Sequence, residues 1–122
     1  MHKSRLCALG IDCQDVEPEV AVRFWSAALG RAAEPAEGNY AHLEERPGQP
    51  LVFVQKVDHP SRVHLDIESD DVEAEAARLE ALGARRVAKV HTWWVMEAPT
   101  GHRFCVVRPQ RGPLGDDANV WP

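Results

Sequence analysis

Short runs of alternating apolar and polar positions recur along the chain, which is the pattern of half-buried β-strands. In residues 5–13, Cys7, Leu9, Ile11 and Cys13 form the apolar face, and small or polar residues form the other. We expect the apolar face to lie on the helix side of a sheet. Similar runs predict further strands at residues 39–45, 50–57, 63–69, 85–90, 93–98 and 103–108.

The stretch after the first strand carries the end signals of an α-helix. Asp15 is the candidate N-cap, Pro18 falls in the first turn, and Gly30 is placed to end the helix. The apolar residues expected to form its inward stripe are Val16, Val20, Phe24 and Leu29.

A second predicted helix repeats the first in position and in sequence. It runs from about Val72 to Leu82, with Gly83 as its C-cap. "CQDVEPEVA" at Cys13–Ala21 aligns with "SDDVEAEAA" at Ser69–Ala77. The order of strand, helix and three strands therefore indicates an internally duplicated βαβββ unit, with helices covering one sheet face and the opposite faces lining a shared cleft.

The duplication and two sequence stretches, "HLDIESDDVEAEAARLEALGA" and "EAPTGHRFCVV", resemble the vicinal oxygen chelate superfamily. The likeness covers about residues 5–109 and is closest to the glyoxalase-like domains, which are related to glyoxalase I, the bleomycin-resistance proteins and the extradiol dioxygenases. It implies an α+β fold in which two tandem βαβββ units form an open, cup-shaped mixed sheet with helices on the outer face. The units would span about 5–57 and 62–108 of a 1–110 domain, and residues 111–122 would be an extended tail that Trp121 could pin.

The resemblance also implies positions for a divalent metal, with His, Gln or Glu ligands on the first and last strand of each unit. Those positions are Ala8, Gln55 or Phe53, His64, and Cys105 in place of the usual Glu. Ala8 has no donor atom, and one imidazole with an amide and a thiol is a poor set for a borderline cation. We therefore expect no metal cofactor, and if Zn, Ni, Mn or Fe does bind, His64 is the expected ligand.

His64 remains the leading candidate for chemistry. It is either a cleft histidine bonded to a neighbour such as Asp66, or a general acid/base or ligand contact, since imidazole titrates near neutral pH. Asp66 and Glu68 share its strand face, and Asp12 is the repeat partner of Glu68. Crowded acids in a cleft would raise at least one pKa. For Asp12 and Glu68 we favour instead that they reach solvent or cap a helix.

Aromatic and polar side chains are expected to complete a binding surface. Tyr40 and His42 share a strand face with Glu44, which either lines the cleft or forms a solvated edge. Trp93 and Trp94 are adjacent on a strand, so one should pack on the helix side and the other face the cleft. The predicted ligand-binding set is Tyr40, His42, Gln55, His64, Asp66, Trp93, Trp94 and Cys105.

Several remaining histidines and cysteines are given structural roles. We expect Cys7 and Cys13 to be core residues, and Cys105 to be a small apolar strand residue more than a nucleophile. The histidines expected on the surface are His2, His59, His91 and His102.

Composition and charge limit the partners. At 122 residues the chain can bury the core of one domain, and its net charge of −5 without a basic run argues against nucleic acid. No apolar run approaches the roughly 20 residues of a membrane helix, and the N-terminal stretch lacks the apolar region of a signal peptide. Three cysteines without CxxC spacing indicate reduced thiols and a cytoplasmic protein.

The leading hypothesis is a small-molecule-binding protein with an incomplete metal-ligand set, binding an apolar or aromatic compound. The alternative is a metal-dependent lyase, isomerase or dioxygenase with a displaced ligand set, such as His64 with His42, Glu44 or Asp66. A third is a metal-free enzyme with His64 as acid/base. A homodimer is expected, because chains of this length in the superfamily commonly pair and open sheet edges need cover.

Overall fold

Two helices and a mixed sheet of eight strands make up the chain, in a computed structural model that describes all of residues 1–122. The predicted α+β class is confirmed. Neither helix is long and apolar enough to cross a membrane. The elements are β1 (His2–Gln14), α1 (Pro18–Leu29), β2 (Tyr40–His42), β3 (Leu51–Val57), β4 (Arg62–Ser69), α2 (Val72–Ala81), β5 (Arg85–Val90), β6 (Trp93–Glu97), β7 (Arg103–Val107) and β8 (Asn119–Trp121).

The chain divides into two compact units, and the division falls within strands β1 and β4. The first unit is Ala8–His64, and the second combines Met1–Cys7 with Leu65–Pro122. The beginning of β1 therefore belongs with the later half of the chain.

The first unit has α1 packed on β2 and β3, with β1 parallel to β3 and β3 antiparallel to β2. After α1 it contains fewer strands than the second unit. The segment before β2 pairs only through the isolated bridges Ala33↔Leu43 and Glu37↔Tyr40. Pro35 and Gly38 lie in this segment, and both residue types disfavour a continuous ladder. The core under α1 consists of Ala21, Val22, Ala41, Leu43, Val52 and Val54.

The buried stripe of α1 differs from the predicted one. Pro18, Ala21 and Val22 are buried, and Trp25 packs against the core from its border. Their spacing of i, i+3, i+4 and i+7 is as regular a helical stripe as the predicted one, so periodicity could not choose between them. Phe24 is 64% exposed. The other residues wrongly predicted to face inward, also exposed, are Val16, Val20 and Leu29.

The helix ends agree with the sequence signals only in part. Asp15 does not cap α1: the N-cap is Glu17, and Asp15 adopts a positive φ of 55° in the preceding turn. Gly30 ends α1 in the left-handed conformation, as predicted. Asp71 caps α2 by accepting a hydrogen bond from the backbone N–H of Ala74. The C-cap of α2 is the residue before the predicted Gly83, which has a φ of 108°.

The second unit has α2 packed on β5, β6 and β7, with β7 parallel to β4 and antiparallel to β6. Trp94 packs against this core and donates from Nε1 to Glu73 Oε1 at 2.7 Å. Trp94 is therefore the helix-side tryptophan, and strand alternation points Trp93 the other way. The core consists of Ala76, Met96, Phe104 and Val106.

Glu68 was expected to reach solvent or cap a helix, and this was wrong. Its side chain is 0% exposed and accepts from Arg5 Nε at 2.7 Å and from the Gln110 N–H at 2.8 Å. Arg111 Nη2 lies 3.5 Å away. These donors replace the water that burial removes. Burial and the nearby Glu68 carboxylate together raise the pKa of the Cys7 thiol to about 12, which makes that thiol unreactive.

His2 was expected on the surface, but it is 7% exposed and lies in a buried polar cluster on α2. Its Nε2 is 2.8 Å from Glu75 Oε1, and Arg78 binds the same carboxylate through two hydrogen bonds of 2.8 Å. The Arg78 guanidinium stacks 3.7 Å from the ring centroid of Trp121. Trp121 also donates to Ser4 Oγ at 2.8 Å, so β8 holds the end of the tail against β1.

Replacing Glu75 with Gln should lower the free energy of unfolding by about 1.5–3 kcal/mol at pH 7, the range for hydrogen bonds to charged groups. Burial disfavours ionisation of Glu75, but hydrogen bonds from Arg78, His2 and Ser4 outweigh it and hold its pKa at about 2, below the ordinary 4.5. A lowered pKa stabilises the fold above the unfolded-state pKa. The difference in the free energy of unfolding between the wild type and Glu75→Gln should therefore become smaller as the pH falls from about 5 toward 2.

Urea unfolding of both proteins across that pH range measures the effect. Glu80→Gln is the matched control, because Glu80 lies on the same helix and is exposed. Equal losses in the two variants, or a deficit that does not change with pH, would contradict the assignment.

Candidate functional site

A row of rings crosses the face of the first unit's sheet that lies opposite α1. Phe53 is the register partner of Gly10 on β1 and of His42 on β2, while the alternate residues of β3 belong to the core under α1. The Phe53 ring centroid lies 5.5 Å from that of His42, 5.7 Å from His64 and 6.0 Å from Tyr40. Four rings therefore form one aromatic cluster, which we call the ring row, with Phe53 at its centre only 7% exposed.

Gly10 makes the ring row possible. A Cβ added at Gly10 would lie 2.3 Å from His64 Cε1, 2.5 Å from His64 Nε2 and 2.7 Å from Phe53 Cζ. The imidazole therefore lies directly against the backbone of β1, where any side chain would exclude it. A glycine inside a strand often marks such a close approach.

A polar row runs beside the ring row. Asp12 on β1 is the register partner of Gln55 on β3, which is in turn the partner of Tyr40 on β2. Gln55 donates from Nε2 to the Tyr40 hydroxyl at 3.2 Å. The amide of Gln55 is thus oriented with its nitrogen toward Tyr40, which leaves its carbonyl oxygen as an acceptor.

Asp12 was expected to reach solvent or cap a helix, and the structure contradicts this as well. Only 4% exposed, it lies among three basic side chains. His64 Nδ1 is 3.0 Å from Asp12 Oδ1, which is short enough for a hydrogen bond. The relative orientation of the two groups is nevertheless not that of a hydrogen bond. Arg62 Nε is 3.6 Å and His59 Nε2 is 3.8 Å from Oδ2. The side chain is buried because β1 directs it to the same face as Gly10.

The predicted binding residues are distributed over both units. Tyr40, His42, Gln55 and His64 belong to the first unit. In the second unit, Asp66 and Cys105 are register partners on β4 and β7, with their donor atoms within 4.8 Å of each other. The indole of Trp94 is engaged by α2, and Trp93 stands 5.7 Å from the ring of His91.

The metal positions implied by the resemblance do not supply a matching donor set. Ala8 is buried and has no donor atom, and Phe53 packs on the ring of His64. The amide nitrogen of Gln55 is directed at the Tyr40 hydroxyl. A borderline cation requires several imidazole, thiolate or carboxylate donors in fixed geometry, so these four positions do not fit one.

A displaced ligand set within the first unit also meets an obstacle. Glu44 accepts two hydrogen bonds from Arg46, of 3.2 and 2.8 Å. These bonds lower the pKa of Glu44 and commit its carboxylate to the arginine. His42 is exposed, and its ring packs on that of Phe53.

Sequence reasoning did not assign Gly10, His59 and Arg62 to the site, and it placed Asp12 outside it. The signal for Gly10 was present, because it stands inside an alternating strand two positions from Asp12. His59 and Arg62 lie in and just after a loop, where periodicity carries no information about direction. Their approach to Asp12 depends on the three-dimensional course of that loop.

The two helices and the mixed eight-stranded sheet are consistent with the glyoxalase fold, which solved structures similar to this chain share. The model of the glyoxalase-like domain family matches residues 8–107, and the chain belongs to that family. The sequence resemblance is thereby confirmed. No curated protein sequence matches the chain significantly.

Solved structures share this fold at low sequence identity. Methylmalonyl-CoA epimerase from Mycobacterium tuberculosis is 19% identical over 85% of this chain and 87% of its own, with a TM-score of 0.63. A glyoxalase/bleomycin resistance protein/dioxygenase superfamily member from Vibrio splendidus 12B01 is 18% identical over 84% and 98%, with a TM-score of 0.52. An extradiol ring-cleaving dioxygenase from B. fuscum is 14% identical over 85% of this chain and 32% of its own, with a TM-score of 0.59. Likeness at this level establishes the fold and leaves the activity open.

Replacing Gly10 with Ala should displace the His64 ring and destabilise the protein by about 1–3 kcal/mol, the usual cost of overpacking. Urea unfolding measures the loss, and the imidazole signals of His64 in NMR spectra report the displacement. Gly115→Ala is the matched control, because a Cβ there meets only Asp117 Oδ1, at 3.7 Å. Unchanged His64 signals in a folded Gly10→Ala protein would contradict the close approach.

Proposed function

We propose that this chain is a small-molecule-binding protein of the glyoxalase-like family, whose ligand is an apolar or aromatic compound bound along the ring row and the polar row. The observation that carries the proposal is the continuity of four rings on one sheet face. Flat ligands pack well on such surfaces, because aromatic rings offer large apolar area and favourable stacking geometry.

The polar row supports the same proposal. Binding sites for small molecules usually combine an apolar wall with a few polar groups that fix the orientation of the ligand. The carbonyl oxygen of Gln55 lies beside the ring row, and the imidazole of His64 is part of it. We infer that the rings supply contact area and that these polar groups orient the ligand.

The alternative function is that of a metal-dependent lyase, isomerase or dioxygenase. It is favoured by the donor atoms of Asp66 and Cys105, which lie within 4.8 Å of each other in the second unit. We prefer binding without a metal because the metal positions implied by the resemblance do not supply a matching set of donor atoms in the first unit.

Phenol, benzoate and indole should bind more tightly than cyclohexanol, which has similar size but no ring system for stacking. Saturation-transfer NMR detects this binding, and titrations give the dissociation constants. Phe53→Leu, which keeps an apolar side chain but removes the ring, and His64→Ala should each weaken binding about tenfold, equivalent to about 1.4 kcal/mol. His102→Ala, at an exposed turn, is the control and should bind as the wild type does.

Two results would contradict the proposal. One is equal binding of cyclohexanol and the aromatic probes, or binding that Phe53→Leu leaves unchanged. The other is stoichiometric zinc, nickel, manganese or iron in protein purified without chelators, lost in the His64→Ala variant. That second result would favour the metal-dependent alternative.

We also propose that the chain forms a homodimer. The exposed apolar stripe on and before α1, with Val16, Val20 and Phe24 at intervals of four residues, supports this. Monomeric proteins seldom leave such contiguous apolar area in water. Light scattering after size-exclusion chromatography should give twice the monomer mass, and Phe24→Lys should shift it toward the monomer. A wild-type monomer at micromolar concentration would contradict the proposal.

A further inference from the structure

An arginine lies at the Asp12 end of the polar row. We propose that Arg62 is a specificity-determining residue: its guanidinium binds a carboxylate of the ligand, so that the site prefers aromatic carboxylates over neutral aromatic compounds. This role rests on the proposed function, because it names the class of compound that the same site binds.

Arg62 lies on the same sheet face as the ring row. It is the first residue of β4, and strand alternation directs its side chain to the same face as His64, two positions later. Both side chains approach the carboxylate of Asp12, with Arg62 Nε 3.6 Å from Oδ2 and His64 Nδ1 3.0 Å from Oδ1. A single ligand can therefore place its ring on the ring row and an attached group against the guanidinium.

The protein contacts the Arg62 guanidinium on one side and leaves the other open. Nε faces Asp12, and Nη2 lies 3.3 Å from His59 Nε2. Nη1 makes no hydrogen bond in the structure, and 46% of the side chain is exposed. A guanidinium that is already restricted through Nε and Nη2 loses little further rotamer freedom when Nη1 binds an anion. Arg62 is therefore a pre-organised donor beside the ring row.

The charges around Asp12 favour an anion over a cation as the ligand. The carboxylate is 4% exposed and lies among Arg62, His59 and His64. Because Arg62 already offsets the charge of Asp12, a ligand amine would have to compete with the guanidinium for Oδ2. A ligand carboxylate instead meets the exposed part of the guanidinium. Hydrogen bonds between such ionised groups are about twice as strong as neutral ones.

A purely structural role makes a different prediction. If Arg62 serves only to offset the charge of Asp12, the charge of the ligand should not affect binding. The test therefore compares three probes that share a phenyl ring and differ in charge: benzoate, neutral benzamide and cationic benzylamine. Titrations followed by saturation-transfer NMR at about pH 7.5, where carboxylates and amines are ionised, give the dissociation constants at low and at high NaCl concentration.

In the wild type, benzoate should bind about tenfold more tightly than benzamide, the equivalent of one charge-assisted hydrogen bond, and benzylamine should bind least tightly. Added salt should reduce the preference for benzoate, because it screens the half-exposed guanidinium. In Arg62→Gln the affinity for benzoate should fall about tenfold, to that for benzamide. Arg23→Gln is the matched control and should keep the preference, because Arg23 is an exposed arginine of the same unit that lies on α1.

Benzoate binding no more tightly than benzamide in the wild type overturns the inference, and this result does not depend on whether any variant folds. A folded Arg62→Gln protein that keeps the preference overturns it as well, because the guanidinium is then not the group that recognises the carboxylate. If neither these probes nor phenol bind, the proposed function fails, and its ligand class with it. Binding of phenol and benzamide without a preference for benzoate refutes only the role of Arg62.

Discussion

A carboxylate removed from water must be surrounded by groups that replace its hydration, and Asp12 imposes this requirement on the first unit. The three basic side chains around it all come from residues 59–64, the loop before β4 and the start of that strand. The backbone N–H of Gln14 also bonds to Ser61 Oγ at 3.0 Å. The end of β1 is therefore tied to this segment by charge and by hydrogen bonding. The position of His64 follows from that connection.

Buried acids with basic partners also organise the second unit. Glu68 and Glu75 are both 0% exposed, and each is matched by an arginine. Removing one member of such a pair leaves an uncompensated charge, which costs far more than the pair contributes when intact. Pairs of this kind therefore specify which segments lie together. Through them Arg5 and His2 join the beginning of β1 to β4 and α2.

The sequence predicted the features that depend on local pattern. Most strands and the turn at Gly30 follow from alternation and from residue preferences at helix ends. The prediction failed where two arrangements have the same local pattern. Two sets of residues on α1 have helical spacing, and the set that is buried against the sheet contains Ala21 and Val22, whose small side chains permit close packing.

The candidate site was predictable only in part, for a related reason. Tyr40, His42, Gln55 and His64 were recognised because alternation places them on strand faces. Asp12 was assigned to solvent, since a lone acid near a strand end usually reaches water. Asp12 is buried because basic groups from a loop and from the start of β4 surround its carboxylate. Local pattern does not encode such contacts, and His2 was misplaced for the same reason, because its partner Glu75 is far away in sequence.

Three alternate positions of β1 determine the surroundings of His64. Ala8 supplies no donor, Gly10 makes room for the imidazole, and Asp12 supplies the charge that faces Nδ1. Because the sheet alternates, a shift of one residue would remove all three features from this face at once. The register of β1 against β3 therefore decides which groups surround His64.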